Sequence, residues 1–226
     1  MKKQLLYFLL LTIGLPVYAQ QYKFIDVSKI TSPAKYAAEI KANPDNQLIE
    51  IKKYIPGIVL DIRYATKNNF TGQPVYKQAR AFARLPVVKS LQKIQTDLKP
   101  LGLGLKIFDG YRPYTITVKF YEVAKDTTFV ADPRKGSRHN RGCAIDLTLI
   151  NLKTGKELDM PTGYDSFKKE AAANYGPLSP QKLHNRELLK KVMEANGFSV
   201  YPSEWWHYDF KGWDKFGLLD IPFEDL

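Results

Sequence analysis

Hydrophobic positions along the chain switch between two periods, and the switches mark the elements. Leu85, Val88, Leu91, Ile94 and Leu98 fall 3, 3, 3 and 4 residues apart, which lines one face of a helix that Pro86 opens and Pro100 and Gly102 stop. Leu103, Leu105 and Ile107 then alternate, as a strand does, and lead into Asp109-Gly110-Tyr111-Arg112-Pro113. Pro113 suits the first turn of a helix reaching about Lys125. A polar loop over 126–138 precedes a second strand at 143–150, which a turn at 151–155 ends. A helix capped by Ser179 before Pro180, or by Asn185, turns Leu188, Leu189, Val192 and Met193 inward and stops at Gly197. Phe198, Val200 and residues 205–210 form the final strand.

The remaining segments are more weakly patterned. Ser32-Pro33 predicts a helix that Asn43-Pro44-Asp45 ends, and Leu48-Ile49 and Tyr54-Ile55 carry faint strand signals. Ile58, Leu60 and Ile62 predict a strand over 57–64, followed by an Asn-, Thr- and Gly-containing loop to Gly72. Residues 75–84 leave room for one more strand, 156–184 read as loop with a short helix near 166–173, and 214–226 read as a loop tail. Strands joined by helices or loops, with no repeat or linker, predict a single α+β domain whose mainly antiparallel central sheet is flanked by helices.

Composition agrees with a packed domain: 226 residues, 44% hydrophobic and 13% aromatic, exclude a disordered chain. Met1-Lys2-Lys3, an apolar run to Val17 and Val17-Tyr18-Ala19 before Gln20 have the form of a secretory signal peptide. The expected division is a signal peptide at 1–19 and one domain at 20–226, exported to the periplasm or the extracellular space; an uncleaved N-terminal anchor is the alternative. The apolar run falls short of the ~20 residues that span a bilayer, and no cysteine follows it, so no stable membrane anchor is expected after cleavage.

The net charge of +11 includes Lys2 and Lys3, leaving 11 − 2 = +9 after residue 19. Such a balance often marks nucleic-acid binding. Export and the scattered positions of the charges argue against it, so a small peptide partner is expected and no nucleic acid. The lone Cys143 excludes an internal disulfide. Its place on the Ile145 and Leu147 face of a strand predicts a buried apolar residue rather than a ligand.

Two stretches carry chemistry. Ser137-Arg138-His139-Asn140-Arg141-Gly142-Cys143-Ala144-Ile145-Asp146 presents a histidine in a Gly-containing loop and an aspartate on the strand that follows. Glu204-Trp205-Trp206-His207-Tyr208 presents a second histidine three residues after a glutamate. A catalytic zinc takes three protein ligands and keeps a position open. His139, Asp146 and His207 supply two nitrogens and an oxygen, and Glu204 remains free as a base. The odd offset from Glu204 to His207 puts them on opposite faces of a regular strand, so Glu204 is expected in the turn at Pro202-Ser203. Trp205 then shares the His207 face as a pocket wall, and Trp206, Tyr208 and Phe210 share the core face. The third histidine, His184, reads as a surface or helix-end residue. Arg112 either stabilises an oxyanion or pairs with Asp109 at a helix start, and Ser137 either binds substrate or caps its loop.

The sequence Ser137 to Thr148 resembles the Ser-x-His-x-x-Gly-x-Ala-x-Asp signature of zinc D-alanyl-D-alanine dipeptidases, the VanX-type enzymes, which are related in fold to D,D-carboxypeptidases and the hedgehog signalling domain. Glu204-Trp205-Trp206-His207 resembles their Glu-x-x-His signature. Asp61-Ile62-Arg63-Tyr64-Ala65-Thr66, Asn69-Phe70-Thr71-Gly72 and Asp109-Gly110-Tyr111-Arg112-Pro113 are similar to further segments, so the match runs in order from about 57 to 210. The resemblance implies one zinc per chain on His139, Asp146 and His207, with Glu204 as general base and Arg112 stabilising the transition state. It also implies Ser137 and Tyr64 near the substrate, and Asp165 holding the substrate's ammonium. Around Asp165 the sequence Met160-Pro161-Thr162-Gly163-Tyr164-Asp165 departs from the family, with Pro161 in place of Gly and Tyr164 in place of Phe. The implied activity is hydrolysis of D-Ala-D-Ala or similar peptidoglycan-derived dipeptides. The alternatives are a zinc D,D-carboxypeptidase or endopeptidase on longer muropeptides and a hedgehog-like non-catalytic binding module. The sequence leaves the oligomeric state open.

Overall fold

A computed structural model describes residues 24–26, 30, 32–124 and 129–226. The expected signal peptide at 1–19 and the helix end at Lys125 lie outside the described residues. Among these, no helix is long and apolar enough to cross a membrane.

Seven strands and five α-helices are described: β1 Leu48–Glu50, β2 Val59–Leu60, β3 Phe82–Arg84, β4 Leu103–Asp109, β5 Ala144–Asn151, β6 Phe198–Tyr201 and β7 Glu204–Phe210, with α1 Pro33–Ala42, α2 Ile51–Tyr54, α3 Leu85–Leu98, α4 Tyr114–Ala124 and α5 Pro180–Ala195. The five-stranded sheet runs β2-β4-β5-β7-β6, and β1 pairs with β3 in a separate ribbon. All pairs are antiparallel except β2–β4. The fold is therefore the expected α+β, with a sheet that is mixed at its β2 edge.

β5 has neighbours on both sides, and every residue from Ala144 to Ile150 is buried. One face, with Ile145 and its cross-strand partner Tyr208, belongs to the core against which α5 packs Leu189 and Met193. The other face carries Asp146 opposite His207 and opens into a cleft. Cys143 is fully buried in the core, and burial pushes its thiol up to about 12, as its alternation predicted.

Several local expectations change. Tyr54 ends the short helix α2 rather than starting a strand. The predicted strand at 57–64 contracts to β2, because Arg63–Ala65 wind into a 3-10 turn that puts Tyr64 inside. The predicted helix at 166–173 is only a 3-10 turn, Lys169–Ala171. Ser179, not Asn185, caps α5 by accepting from the Lys182 amide. The tail is anchored: Phe216, Leu219, Ile221 and Phe223 are buried, and Tyr111 exchanges hydrogen bonds with Ile221.

Candidate active site

The first ligand loop is shaped by close packing. His139–Arg141 form a 3-10 turn closed by Gly142 at φ +69°. The positive φ favours glycine at this position, and a Cβ there would also sit 2.6 Å from the tip of the Leu48 side chain, which would have to shift. Asn140 ties the turn down: its side chain accepts from the Ser137 amide and donates to the Arg112 carbonyl and Thr117 hydroxyl. A Cβ at Gly110 would meet the Phe82 carbonyl at 2.5 Å, and the Gly110 carbonyl takes the His139 Nδ1 proton at 2.7 Å. Because a carbonyl only accepts, the His139 lone pair is on Nε2.

The other two candidate ligands come from the sheet. Asp146 on β5 and His207 on β7 are direct cross-strand partners, and their side chains share a face. His207 Nε2 faces Asp209 Oδ1 at 3.0 Å, which directs Nδ1 inward. Asp146 Oδ2 accepts from the Tyr164 hydroxyl at 3.0 Å. Three atoms then converge: His207 Nδ1 lies 3.2 Å from His139 Nε2 and 3.0 Å from Asp146 Oδ1, and Asp146 Oδ1 lies 3.4 Å from His139 Nε2.

These separations fit a tetrahedral zinc, whose ligand atoms at ~2.0–2.1 Å from the metal stand about 3.3 Å apart. Asp146 Oδ1 is buried and has no hydrogen-bond partner of proper geometry among the described residues. Three electron-rich atoms this close need a positive charge between them. Burial opposes a charge on His207, but hydrogen bonds to Asp146 and Asp209 outweigh it and hold its pKa well above the usual histidine range. Burial alone would raise Asp146, but His139 and His207 pull it well below the usual carboxylate range. Each ligand also has its remaining atom bound to a second group, as metal ligands require for orientation.

Glu204 stands 3.8 Å from His207 Nδ1 and is 9% exposed. It is the first residue of β7, not a turn residue as predicted. The pairing jumps from Val200↔Tyr208 to Tyr201↔Glu204, and this irregularity brings Glu204 and His207 to one site despite their odd offset. The same jump reverses the tryptophans. Trp206 lines the cleft, and the expected pocket wall Trp205 turns away to donate to the Thr162 hydroxyl. Burial, the largest influence, pushes the Glu204 carboxyl up to about 8 in the metal-free protein.

The cleft has a volume of about 590 Å³ and collects the expected metal, catalytic and substrate residues Tyr64, Arg112, Ser137, His139, Asp146, Asp165, Glu204 and His207. Arg112 forms the pair with Asp109 and also lines the cleft. Nε and Nη2 bind Asp109 at 3.0 and 2.8 Å, and the guanidinium lies 4.6 Å from the Phe120 ring at the cleft wall. Asp109 reaches this place through a bulge between Ile107 and Asp109. Ser137 Oγ accepts from the His139 amide, so it caps the loop while facing the cleft.

Asp165 sits in the weakly patterned segment at φ +59°, a backbone strain that few non-glycine residues carry. Its Oδ1 accepts from Tyr64 at 3.0 Å, and its Oδ2 is buried without a partner among the described residues. Burial first, then Asp146, pushes this carboxyl up to about 7. His184 is exposed on α5 and takes no part. Sequence reading missed Asp209, although its offset of two from His207 on one strand was a usable signal, and it missed Tyr164 as the partner of Asp146.

Fold and cleft thus present a buried cluster of two histidines and one aspartate that could hold one metal ion. The model of the Peptidase_M15 family, described as D-Ala-D-Ala dipeptidase, matches residues 44–220, and the chain belongs to this family of zinc metallopeptidases. A D-alanyl-D-alanine dipeptidase of Escherichia coli (strain K12) is 33% identical over 76% of this chain and 89% of its own length. One from Enterococcus faecalis (strain ATCC 700802 / V583) is 30% identical over 80% of this chain and 96% of its own. Among solved structures, the LdcB LD-carboxypeptidase covers 59% of this chain and 61% of its own, at 20% identity and a TM-score of 0.38.

Proposed function

We propose that the protein is a zinc dipeptidase that hydrolyses D-Ala-D-Ala or closely similar peptidoglycan-derived dipeptides. The observation that carries this reading is the cleft itself. A three-ligand cluster, a free buried carboxylate at Glu204 and a second carboxylate at Asp165 with an unsatisfied oxygen line one space.

His139 Nε2, His207 Nδ1 and Asp146 Oδ1 would hold the zinc, which would supply Lewis-acid polarisation of the scissile carbonyl. Glu204 takes a proton from the attacking water and returns it to the leaving amine. Arg112, fixed by Asp109, faces the oxyanion that develops at the attacked carbon. Asp165 receives the substrate's ammonium on Oδ2, with Tyr64 steadying Oδ1. An ammonium also stabilises the ionised form of Asp165 against the burial that raises its pKa.

A D,D-carboxypeptidase acting on longer peptides remains the second reading, because about 590 Å³ exceeds the space dialanine needs. The deciding measurement is turnover of a panel of D- and L-dipeptides, free and N-acetylated, by zinc-loaded protein with and without a chelator. Chelator-sensitive cleavage of free D-Ala-D-Ala, with poor cleavage of the acetylated form, is expected. Equal cleavage of both forms would establish the carboxypeptidase reading instead, and inertness of the loaded protein would favour a binding module. The pattern of residues 1–19 supports export, and an exported dipeptidase suits wall recycling or nutrition. A resistance enzyme must meet its dipeptide in the cytoplasm.

A further inference from the structure

Four consecutive carbonyls of the turn that carries His139 are each bound by a donor from another segment. The His139 carbonyl accepts from the Arg112 amide at 3.1 Å, and the Asn140 carbonyl from the Leu219 amide at 2.9 Å. The Arg141 carbonyl accepts from Arg84 Nε at 2.8 Å, and the Gly142 carbonyl from the Arg84 amide at 3.0 Å. One residue, the last of β3, thus holds the second half of the turn with both its side chain and its main chain.

Arg84 is fully buried and stands outside the lining of the cleft. Its other two nitrogens donate to the Asn46 carbonyl, just before β1, and to the Gly217 carbonyl of the C-terminal tail at 3.2 Å. The Phe216 ring centroid lies 5.3 Å from the guanidinium carbon, and Arg141 donates to the Phe216 carbonyl. A Cβ on Gly142 would come within 3.3 Å of Arg84 Cγ, so the arginine stem packs on the glycine that closes the turn. Burying a guanidinium is unfavourable, and here main-chain carbonyls from three separate segments offset the lost hydration. A planar fork with several donors can bind three such carbonyls at once. An ammonium gathers its donors on one nitrogen and cannot.

We propose that Arg84 is a positioning residue for the metal centre, acting through the backbone of the His139 turn. Asp146 and His207 are held in place by strand pairing, whereas His139 stands on a 3-10 turn outside the sheet. Its Nε2 keeps its separations of 3.2 Å from His207 and 3.4 Å from Asp146 only while that turn is fixed from behind. Arg84 fixes it by joining the turn, the segment before β1 and the tail in one hydrogen-bonded unit. The assignment goes beyond the dipeptidase reading and needs only the metal cluster.

The test compares wild type, Arg84→Met, Arg84→Lys and a control, Arg80→Met. Arg80 also ties down the tail, through the Phe223 and Leu226 carbonyls, but touches no part of the turn. Zinc affinity is read by competition with a chromophoric chelator, coordination geometry by the visible absorption of cobalt-substituted protein, and stability by Tm. Arg84→Met should weaken zinc by about 10- to 100-fold and alter the cobalt spectrum, with Arg84→Lys intermediate. KM for D-Ala-D-Ala at saturating zinc should stay within about threefold, because Arg84 does not reach the cleft. Arg80→Met should lower Tm with zinc affinity and spectrum unchanged. Equal weakening of zinc in the Arg80 and Arg84 variants would reduce Arg84 to general stability and overturn the assignment, as would wild-type zinc affinity in Arg84→Met. Should Arg84→Met fail to fold, Arg84→Lys decides: zinc affinity within threefold of wild type would overturn the assignment. Failure of the wild type to cleave the dipeptide would remove the dipeptidase reading and leave the zinc and cobalt measurements to judge Arg84.

Discussion

The two walls of the cleft are built on opposite principles. On the β5–β7 wall, the inner atoms of His139, Asp146 and His207 converge within a fixed sheet and turn, and their outer atoms are engaged by Gly110, Tyr164 and Asp209. The Asp165 wall stands on a segment with little regular structure, at a left-handed backbone angle, and leaves one carboxylate oxygen unsatisfied. The first wall is preorganised for a small cation whose ligands must sit within tenths of an ångström. The second stores unfavourable burial and strain that a substrate cation can relieve. The His139–Asp146–His207 cluster thus stands on strands and a fixed turn, and Asp165 on a loop where sequence can vary without disturbing the cluster.

The largest test of this contrast is Glu204→Ala. Loss of the base should lower kcat by about 10²-fold or more while leaving zinc content unchanged, since Glu204 is not among the three converging ligands. Loss of zinc alongside activity would show that the carboxylate belongs to the metal set. Asp209→Ala probes the rigid wall from behind. It should weaken zinc by about 10- to 100-fold in a competition titration against a chromophoric chelator, because His207 loses the partner that orients its ring. Unchanged zinc affinity would mean that the strand alone orients the ligand.

The smallest effect is expected at Asp165→Asn, read as thermal stability of the metal-free protein against pH. In the native state this carboxyl is pushed up to about 7, whereas unfolded it titrates near ~3.9. Between those values the native protein holds the extra proton, so this group's contribution to stability falls as pH rises. The variant's Tm advantage over wild type should therefore be near zero below about pH 4 and grow to a plateau above about pH 7. Asn tolerates the left-handed angle, so no backbone strain is added. A pH-independent difference would count against a buried, destabilised carboxylate there.

Much of the rigid wall could be read from one dimension. His139 and Asp146 share a short motif around a glycine that a left-handed φ favours, and β5 and α3 carry clean hydrophobic periods. Glu204 illustrates the limit. Its membership in the site was legible, but its placement was not, because strand alternation holds only while pairing stays regular. The three-residue jump opposite Tyr201 moved Glu204 into the strand and exchanged the roles of Trp205 and Trp206. The Asp165 wall gave almost no local signal, since a loop's conformation comes from what packs around it, here Tyr64 from 101 residues away.

The sequence by itself determined the residue types that meet in the cleft, the α+β class and the burial of Cys143, because residue chemistry and hydrophobic period are local properties. Only the tertiary structure decided that Asp146 faces His207 across a strand pair, that Asp209 stands behind His207, and that Arg138 and Asp165 flank one cleft. Those relations depend on strand register and loop packing, which bring distant residues together through contacts that no window along the chain contains.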